Sequence, residues 1–187
     1  YVSANPTGPL TIAHGRQAAI GDTLSRILRF SGYDVTNEYY LNDIGRQIKV
    51  LGGSLRVRYL NLLGKNEPMP EDGYMGEYMV DIASRLVEEK GDALLDAAEG
   101  DEKVFSEYAV SHIMELIHRD LRDFGVEFDV WKPQSDIEKG KEVQKALDAL
   151  RNGGYIYEKD GAVWFASSRF GDDKDRVVVK SDGSYTY

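Results

Sequence analysis

The sequence contains no cysteine, which excludes disulfide staples, thiolate nucleophiles and thiolate zinc sites. Histidine is scarce: only His14, His112 and His118 occur, too few for a metal centre built on imidazole. His112 and His118 are six residues apart, so they do not share a face of the helix predicted around them. No metal-ligating set is expected, and any metal would travel with a nucleotide, as Mg²⁺ does. No apolar run approaches the roughly 20 residues that a membrane-spanning helix needs, and no basic segment followed by an apolar one opens the chain. A cytoplasmic protein with no membrane partner is expected. Positive charge is also in deficit, with 23 Lys and Arg against 32 Asp and Glu and a net charge of −9. Phosphate neutralisation by Lys and Arg supplies most non-specific affinity for nucleic acid, so the main grip on any RNA must lie elsewhere.

What is present is ordinary for a globular chain: 42% hydrophobic and 29% charged residues over 187 positions, enough for one core or for one domain with an insertion. Tyr1–Ala4 has strand composition. Two prolines and a glycine follow, and an amphipathic helix is predicted from His14 to Ser31, with Ala18, Ile20, Leu24, Ile27, Leu28 and Ser31 on the face that packs on a sheet and Gly32 as its C-terminal cap. Tyr33–Leu41, rich in aromatic and β-branched residues, reads as the second strand of a right-handed βαβ unit. A helix from about Ile44 to Leu63 is expected to kink at Gly52 and Gly53. Pro68 and Pro70 mark a break between Gly64 and Gly73. Helical patterns then cover about 75–89, 102–124 and 139–152. The middle one carries a stripe of Val104, Tyr108, Val110, Ile113, Ile117, Leu121 and Phe124. From Tyr155 the character changes to a small antiparallel sheet: 155–158, a turn at Asp160-Gly161, 162–166, 176–180 and a second turn at Asp182-Gly183. The mixed-sign run Asp172–Arg176 reads as a solvated, self-paired turn.

The informative stretch is Tyr1–Arg16, Y-V-S-A-N-P-T-G-P-L-T-I-A-H-G-R, read as strand, tight loop and helix start. In open α/β sheets a nucleotide binds at such a junction, because helix N-terminal N–H groups and the macrodipole face it there. Asn5, Thr7, Thr11, His14 and Arg16 bring polar side chains, and Gly15 lets a ligand approach the backbone. On the same residues His14 could simply begin a helix, Asn5 could bond its own backbone before Pro6, and Asn42 or Asp43 could cap the helix that follows them.

Thr11-Ile12-Ala13-His14 resembles the HIGH motif of class I aminoacyl-tRNA synthetases. With S-A-N-P-T-G-P-L before it, G-R-Q-A-A-I-G-D after it and E-Y-Y-L-N-D-I-G-R-Q at 38–47, the chain is similar to the arginyl-tRNA synthetases in particular. The likeness is dense over 1–53, returns over 164–187 and is diffuse between.

The resemblance implies an α/β fold: the first half of a Rossmann-like nucleotide-binding domain over 1–63, an α+β connective insertion over 64–180, and a truncated start of the second half at 181–187. It implies a ligase that activates arginine with ATP and Mg²⁺ as substrate and passes it to tRNA(Arg), working as a monomer at full length, with no tightly bound cofactor. Thr11 and His14 would be catalytic. Gly8, Pro9, Thr11, Ala13, His14 and Gly15 would surround ATP, and Asn5, Asp43, Gln47 and Tyr187 would bind arginine. Two departures stand out: Thr11 replaces the first histidine of the motif, and Ala13 replaces a glycine that admits adenine. Gly8 stands where some members carry a lysine that substitutes for the later KMSKS loop, so the activating lysine is expected from a KMSKS-like loop that this sequence lacks. Lys180-Ser181-Asp182-Gly183 is first a hairpin turn and not that loop. The resemblance also suggests that activation requires bound tRNA. Both ends read as cut from a longer protein, and the piece alone is expected to be nearly inert. Two other readings stay open: a small-molecule nucleotidylyltransferase with T-x-x-H, and a synthetase-like domain retained as a non-catalytic binding module.

Overall fold

The computed structural model describes residues 1–95 and 103–186, which fall into two compact units, Tyr1–Ser135 and Asp136–Tyr187. The class is α/β, with helices covering a short parallel pair in the first unit and an antiparallel sheet in the second.

In the first unit, β1 (Glu38–Leu41) and β2 (Val130–Pro133) pair in parallel, with Glu38 opposite Val130 and Leu41 opposite Pro133. A parallel neighbour needs a long crossover, and α2 (Arg46–Leu62), α3 (Glu77–Lys90) and α4 (Lys103–Asp123) provide it. Helix α2 packs on both α3 and α4. Leu51, Leu55 and Tyr59 of α2 meet Met79 and Leu86 of α3 and Phe105, Ile113 and Ile117 of α4, all essentially without solvent exposure. Each such side chain contributes about 1.5–3 kcal/mol, so this contact holds the unit together. In α4 the buried stripe is Phe105, Ala109, Ile113, Ile117 and Leu121, while Val104 and Phe124 are exposed, so the expected stripe is displaced at both ends. Helix α2 runs as one element through Gly52 and Gly53, both packed in the interior or half-buried.

Three expectations are corrected. Tyr1–Ala4 forms no strand: Val2 and Ser3 have φ of 63° and 39°, outside the extended region, and in place of a ladder the Ala4 carbonyl accepts the Tyr39 hydroxyl and the Ser3 hydroxyl accepts the Tyr40 N–H. The second strand is confined to its last four residues, because the ladder with β2 begins only at Glu38. Helix α1 (Ile12–Phe30) does not bury the face that its apolar periodicity selects. Ala18 and Ser25 are buried, whereas Ile20, Leu24 and Ile27 are each more than half exposed, and Ile12 and Phe30 stand at 93% and 94%. The helix instead turns its small residues inward. A Cβ at Gly21 would overlap the Tyr1 ring, and Ser25 donates to Asn37 Oδ1 at 2.7 Å. Asn37 in turn donates its backbone N–H to Asp129 Oδ2, and Asp129 also pairs with Arg29. Close approach and a buried polar chain set the orientation here, and hydrophobicity does not.

The second unit is built from local contacts. Helix α5 (Gln134–Lys139) leads into it, α6 (Glu142–Asn152) follows, and β3 (Ile156–Lys159), β4 (Ala162–Phe165) and β5 (Arg176–Val179) form an antiparallel sheet in that order. Asp160 and Gly161 join β3 to β4 with φ of 53° and 74°, the two left-handed conformations of a type I′ hairpin turn. Arg176 binds Asp172 and Asp173 within the run, while Asp175 accepts bonds from Ser168 N–H, Ser168 Oγ and Tyr157 Oη outside it. Arg176 holds the Asp172 carboxyl well below the usual carboxylate range.

Candidate functional site

Residues 1–11 have almost no secondary structure, so their positions depend on what reaches them from elsewhere in the first unit. Tyr39 of β1 donates its hydroxyl to the Ala4 carbonyl at 2.9 Å. Tyr39 is fully buried, and burial pushes its hydroxyl up to about 12, so it remains a protonated donor. Tyr40 N–H donates to Ser3 Oγ at 3.1 Å. Two bonds from one strand therefore fix the residues immediately before Asn5.

Asn5 then donates through Nδ2 to Oε1 of Gln47 at 2.8 Å, bringing together two residues that the sequence assigns to one pocket 42 positions apart. Both are exposed, so the amide pair lies at the surface with polar groups left over for a ligand. Thr7 N–H closes a tight turn on the Asn5 carbonyl at 2.7 Å, and the Thr7 carbonyl accepts the Tyr78 hydroxyl at 2.6 Å. Gly8 is half-buried and Pro9 is exposed.

Thr11 is the N-cap of α1, in extended conformation, with His14 one turn in. The Thr11 backbone N–H donates to His14 Nδ1 at 3.0 Å, and Thr11 Oγ1 lies 3.2 Å from the same nitrogen. A nitrogen that accepts a backbone N–H carries no proton of its own, so in the neutral ring the proton sits on Nε2. The capping contact thus makes Nε2 the donor, the form a phosphate oxygen requires. No acidic residue occupies the first turn of α1, so nothing there neutralises the positive end of the helix dipole. Ala13 is exposed, and a Cβ at Gly15 would meet no atom within 4 Å, so the protein leaves that approach open. Beyond His14, Tyr1, Val2, Gln17, Ile20 and Gly21 line an open hollow of about 430 Å³.

Asp43 is committed differently from Asn5 and Gln47. Its two oxygens accept Ser135 N–H at 2.9 Å and Ser135 Oγ at 2.6 Å. It caps the start of α5, 92 positions away, and ties the carboxyl ends of β1 and β2 together, while Gly45 is the N-cap of α2. Tyr187 lies outside the described residues. Among the described residues no group of His, Asp and Glu is placed to hold a metal ion, and no helix is long and apolar enough to cross a membrane. His112 stacks on Tyr108, and His118 lies against Trp131.

Sequence reasoning missed Tyr39, Tyr40 and Tyr78, which hold the loop, and Ser135, which holds Asp43. No spacing pattern signals them, since each lies in an unremarkable strand or helix position and acquires its contact only through folding.

Comparison with known proteins agrees with the sequence motifs. The sequence model of the tRNA synthetases class I (R), catalytic domain, matches residues 1–187. Arginine–tRNA ligase of Bacillus subtilis (strain 168) is 50% identical over 188 residues, covering 100% of this chain and 34% of the relative. Arginine–tRNA ligase of Nitratidesulfovibrio vulgaris (Hildenborough) is 52% identical over the same extent and share. Among solved structures, a Campylobacter jejuni protein whose description assigns it provisionally to the arginyl-tRNA synthetases superposes with a TM-score of 0.90 at 38% identity, covering 100% of this chain and 41% of that one. Arginyl-tRNA synthetase of Thermus thermophilus gives 0.67 at 25% identity, with 100% and 33% covered. The chain spans about a third of the length of the curated relatives it matches.

Proposed function

The chain belongs to the catalytic-domain family of class I tRNA synthetases (R), and on that premise we propose that it is the part of an arginine–tRNA ligase that receives ATP and arginine. The observation that carries the reading is the family match over every residue of the chain. Arginine carboxylate attacks the α-phosphate of ATP, forming arginyl-adenylate and releasing pyrophosphate. A terminal ribose hydroxyl of tRNA(Arg) then takes the arginyl group and releases AMP. Neither step needs a nucleophile from the protein, so the rate rests on positioning and on donors aimed at developing charge.

Within this reading His14 Nε2–H and the free N–H groups of the first turn of α1 donate to phosphate oxygens, and the Thr11 cap keeps the imidazole in the donating tautomer. Gly8, Pro9, Thr11, Ala13 and Gly15 shape the ATP side. Asn5, held by Gln47, contacts arginine, with Tyr187 assigned to the same pocket. Asp43 lines the same pocket, held in place by the two bonds from Ser135, and each of its oxygens keeps a further acceptor site for arginine. Mg²⁺ enters with ATP, the whole protein works as a cytoplasmic monomer, and residues 64–180 form the insertion that divides the nucleotide-binding domain. An activating lysine and the main tRNA grip belong to other parts of the longer protein, consistent with the acidic balance of this one.

The test is arginine-dependent ATP–pyrophosphate exchange by the longer protein, with and without tRNA(Arg). Exchange that depends on arginine supports the reading. Exchange indifferent to arginine points to a nucleotidylyltransferase instead, and none under any condition to a binding module.

A further inference from the structure

We propose that Tyr78, on the second helix of the crossover, is a positioning residue for the Asn5–Pro9 loop, and that Gly8 and Gly76 are the two gaps that let its ring reach that loop. The functional half of this inference rests on the proposed ATP-dependent activity, while the structural half stands without it.

Tyr78 lies in the first turn of α3, 71 positions from the residue it binds. Its hydroxyl donates to the Thr7 carbonyl at 2.6 Å, short for a neutral pair and the one bond from outside the loop that reaches the backbone between Asn5 and Thr11 among the described residues. The ring is flanked by glycine on two sides. A Cβ at Gly8 would sit 3.3 Å from Tyr78 Oη, tighter than most side-chain contacts, and 3.4 Å from Cζ, at the edge of ordinary van der Waals contact. A Cβ at Gly76 would overlap the ring at Cε1 and Cδ1. Neither glycine is used for a left-handed turn, since neither has a positive φ, so the missing side chain is itself the property in use. Burial raises the Tyr78 hydroxyl above its ordinary value, which keeps it a donor throughout the working range.

The consequence is mechanical. Thr7 closes the turn on Asn5, so the Tyr78 bond fixes the turn that precedes Thr11 and His14. A helix whose sequence suggests only packing thereby sets the height of the loop over the start of α1. Without the hydroxyl the Thr7 carbonyl loses its partner, and the loop samples positions in which Gly8 and Pro9 no longer meet the ligand as a preformed surface.

The experiment uses the longer protein with Tyr78→Phe, Gly8→Ala and the double variant. Hydrogen exchange at the Thr7 and Gly8 amides, measured without ligand, is expected to accelerate about 3- to 10-fold in Tyr78→Phe, with α2 and α4 unchanged. Unchanged exchange at those amides overturns the proposal whatever the activity. In ATP–pyrophosphate exchange the KM for ATP is expected to rise by about the same factor, with kcat within about 2-fold. A lower melting temperature with an unchanged KM for ATP means that Tyr78 only stabilises the fold, and overturns the positioning role. Gly8→Ala is expected to raise KM in the wild-type background and to do so less when Tyr78 is Phe, because the atom its methyl meets first is the hydroxyl. Additive effects would contradict a shared joint. If the unmodified protein shows no arginine-dependent exchange, the functional reading fails, and hydrogen exchange still decides whether Tyr78 holds the loop.

Discussion

Two polar, turn-rich regions of this molecule are held in opposite ways. Between 155 and 186 the bonds are local: Asp160-Gly161 closes a hairpin, Asp175 binds residues 7 and 18 positions away, and Arg176 binds within 4 positions. Between 1 and 11 the bonds come from far away: 35 positions for Tyr39, 37 for Tyr40, 42 for Gln47 and 71 for Tyr78. Charge divides in parallel, since residues 136–187 hold nine Lys and Arg against ten Asp and Glu, leaving nearly all of the net −9 on residues 1–135. A local ladder carries its own instructions, whereas the site loop has the shape that a folded scaffold imposes on it. The loop therefore inherits the stability of the α2–α3–α4 core, and damage there should reach the site without reaching the β3–β5 sheet.

The strongest way to break this contrast is Ile113→Ala, which empties the centre of that core and is expected to cost about 3 kcal/mol. Hydrogen exchange should show lost protection in α2–α4 and in the site loop, with β3–β5 unaffected. Equal loss in that sheet would show that the two regions are not independent. Next comes Tyr39→Phe, which leaves the buried Ala4 carbonyl without its donor and is expected to cost about 2 kcal/mol, read as a lower urea midpoint at unchanged m-value. A midpoint within error of wild type would mean that the strand does not hold the loop.

A smaller effect sharpens the contrast from the other side. Gly161→Ala forces a side chain onto a φ of 74° and should cost about 1 kcal/mol, confined to protection of the β3–β4 hairpin. The smallest expected effect is a pH dependence. Burial against Trp131 lowers the His118 pKa from its ordinary 6.5, so the folded state favours the neutral ring. The stability this provides is complete above the unfolded pKa and lost as pH falls below it. Urea midpoints between pH 7.5 and 5.5 should therefore decline less steeply in His118→Gln than in wild type, and equal slopes would remove His118 from the account.

How much could be read in advance follows the same division. The hairpin at Asp160-Gly161, the self-paired turn at 172–176 and the helices near 77–90, 103–123 and 142–152 were legible, because turn chemistry and apolar period act within a few residues. The resemblance placed Asn5 and Gln47 in one pocket, and the bond between them came only with the fold. Strand β2 and the short helix after it left no periodic trace, being only four and six residues long. Helix α1 was legible as a helix, but of its expected inner face only Ala18 is fully buried. Its apolar residues mark a face that is exposed, since Gly21 and Ser25 decide which side approaches Tyr1 and Asn37.

By itself, the amino-acid order determined the family motifs, the elements with strong local signals and the contact of Thr11 with His14 at the start of α1, because these depend on neighbours in the chain. Only the tertiary structure decided which residues hold the loop, that Asp43 caps a helix 92 positions away, and that Tyr78 fills the space two glycines leave. These contacts join segments whose distance along the chain carries no information about their distance in space.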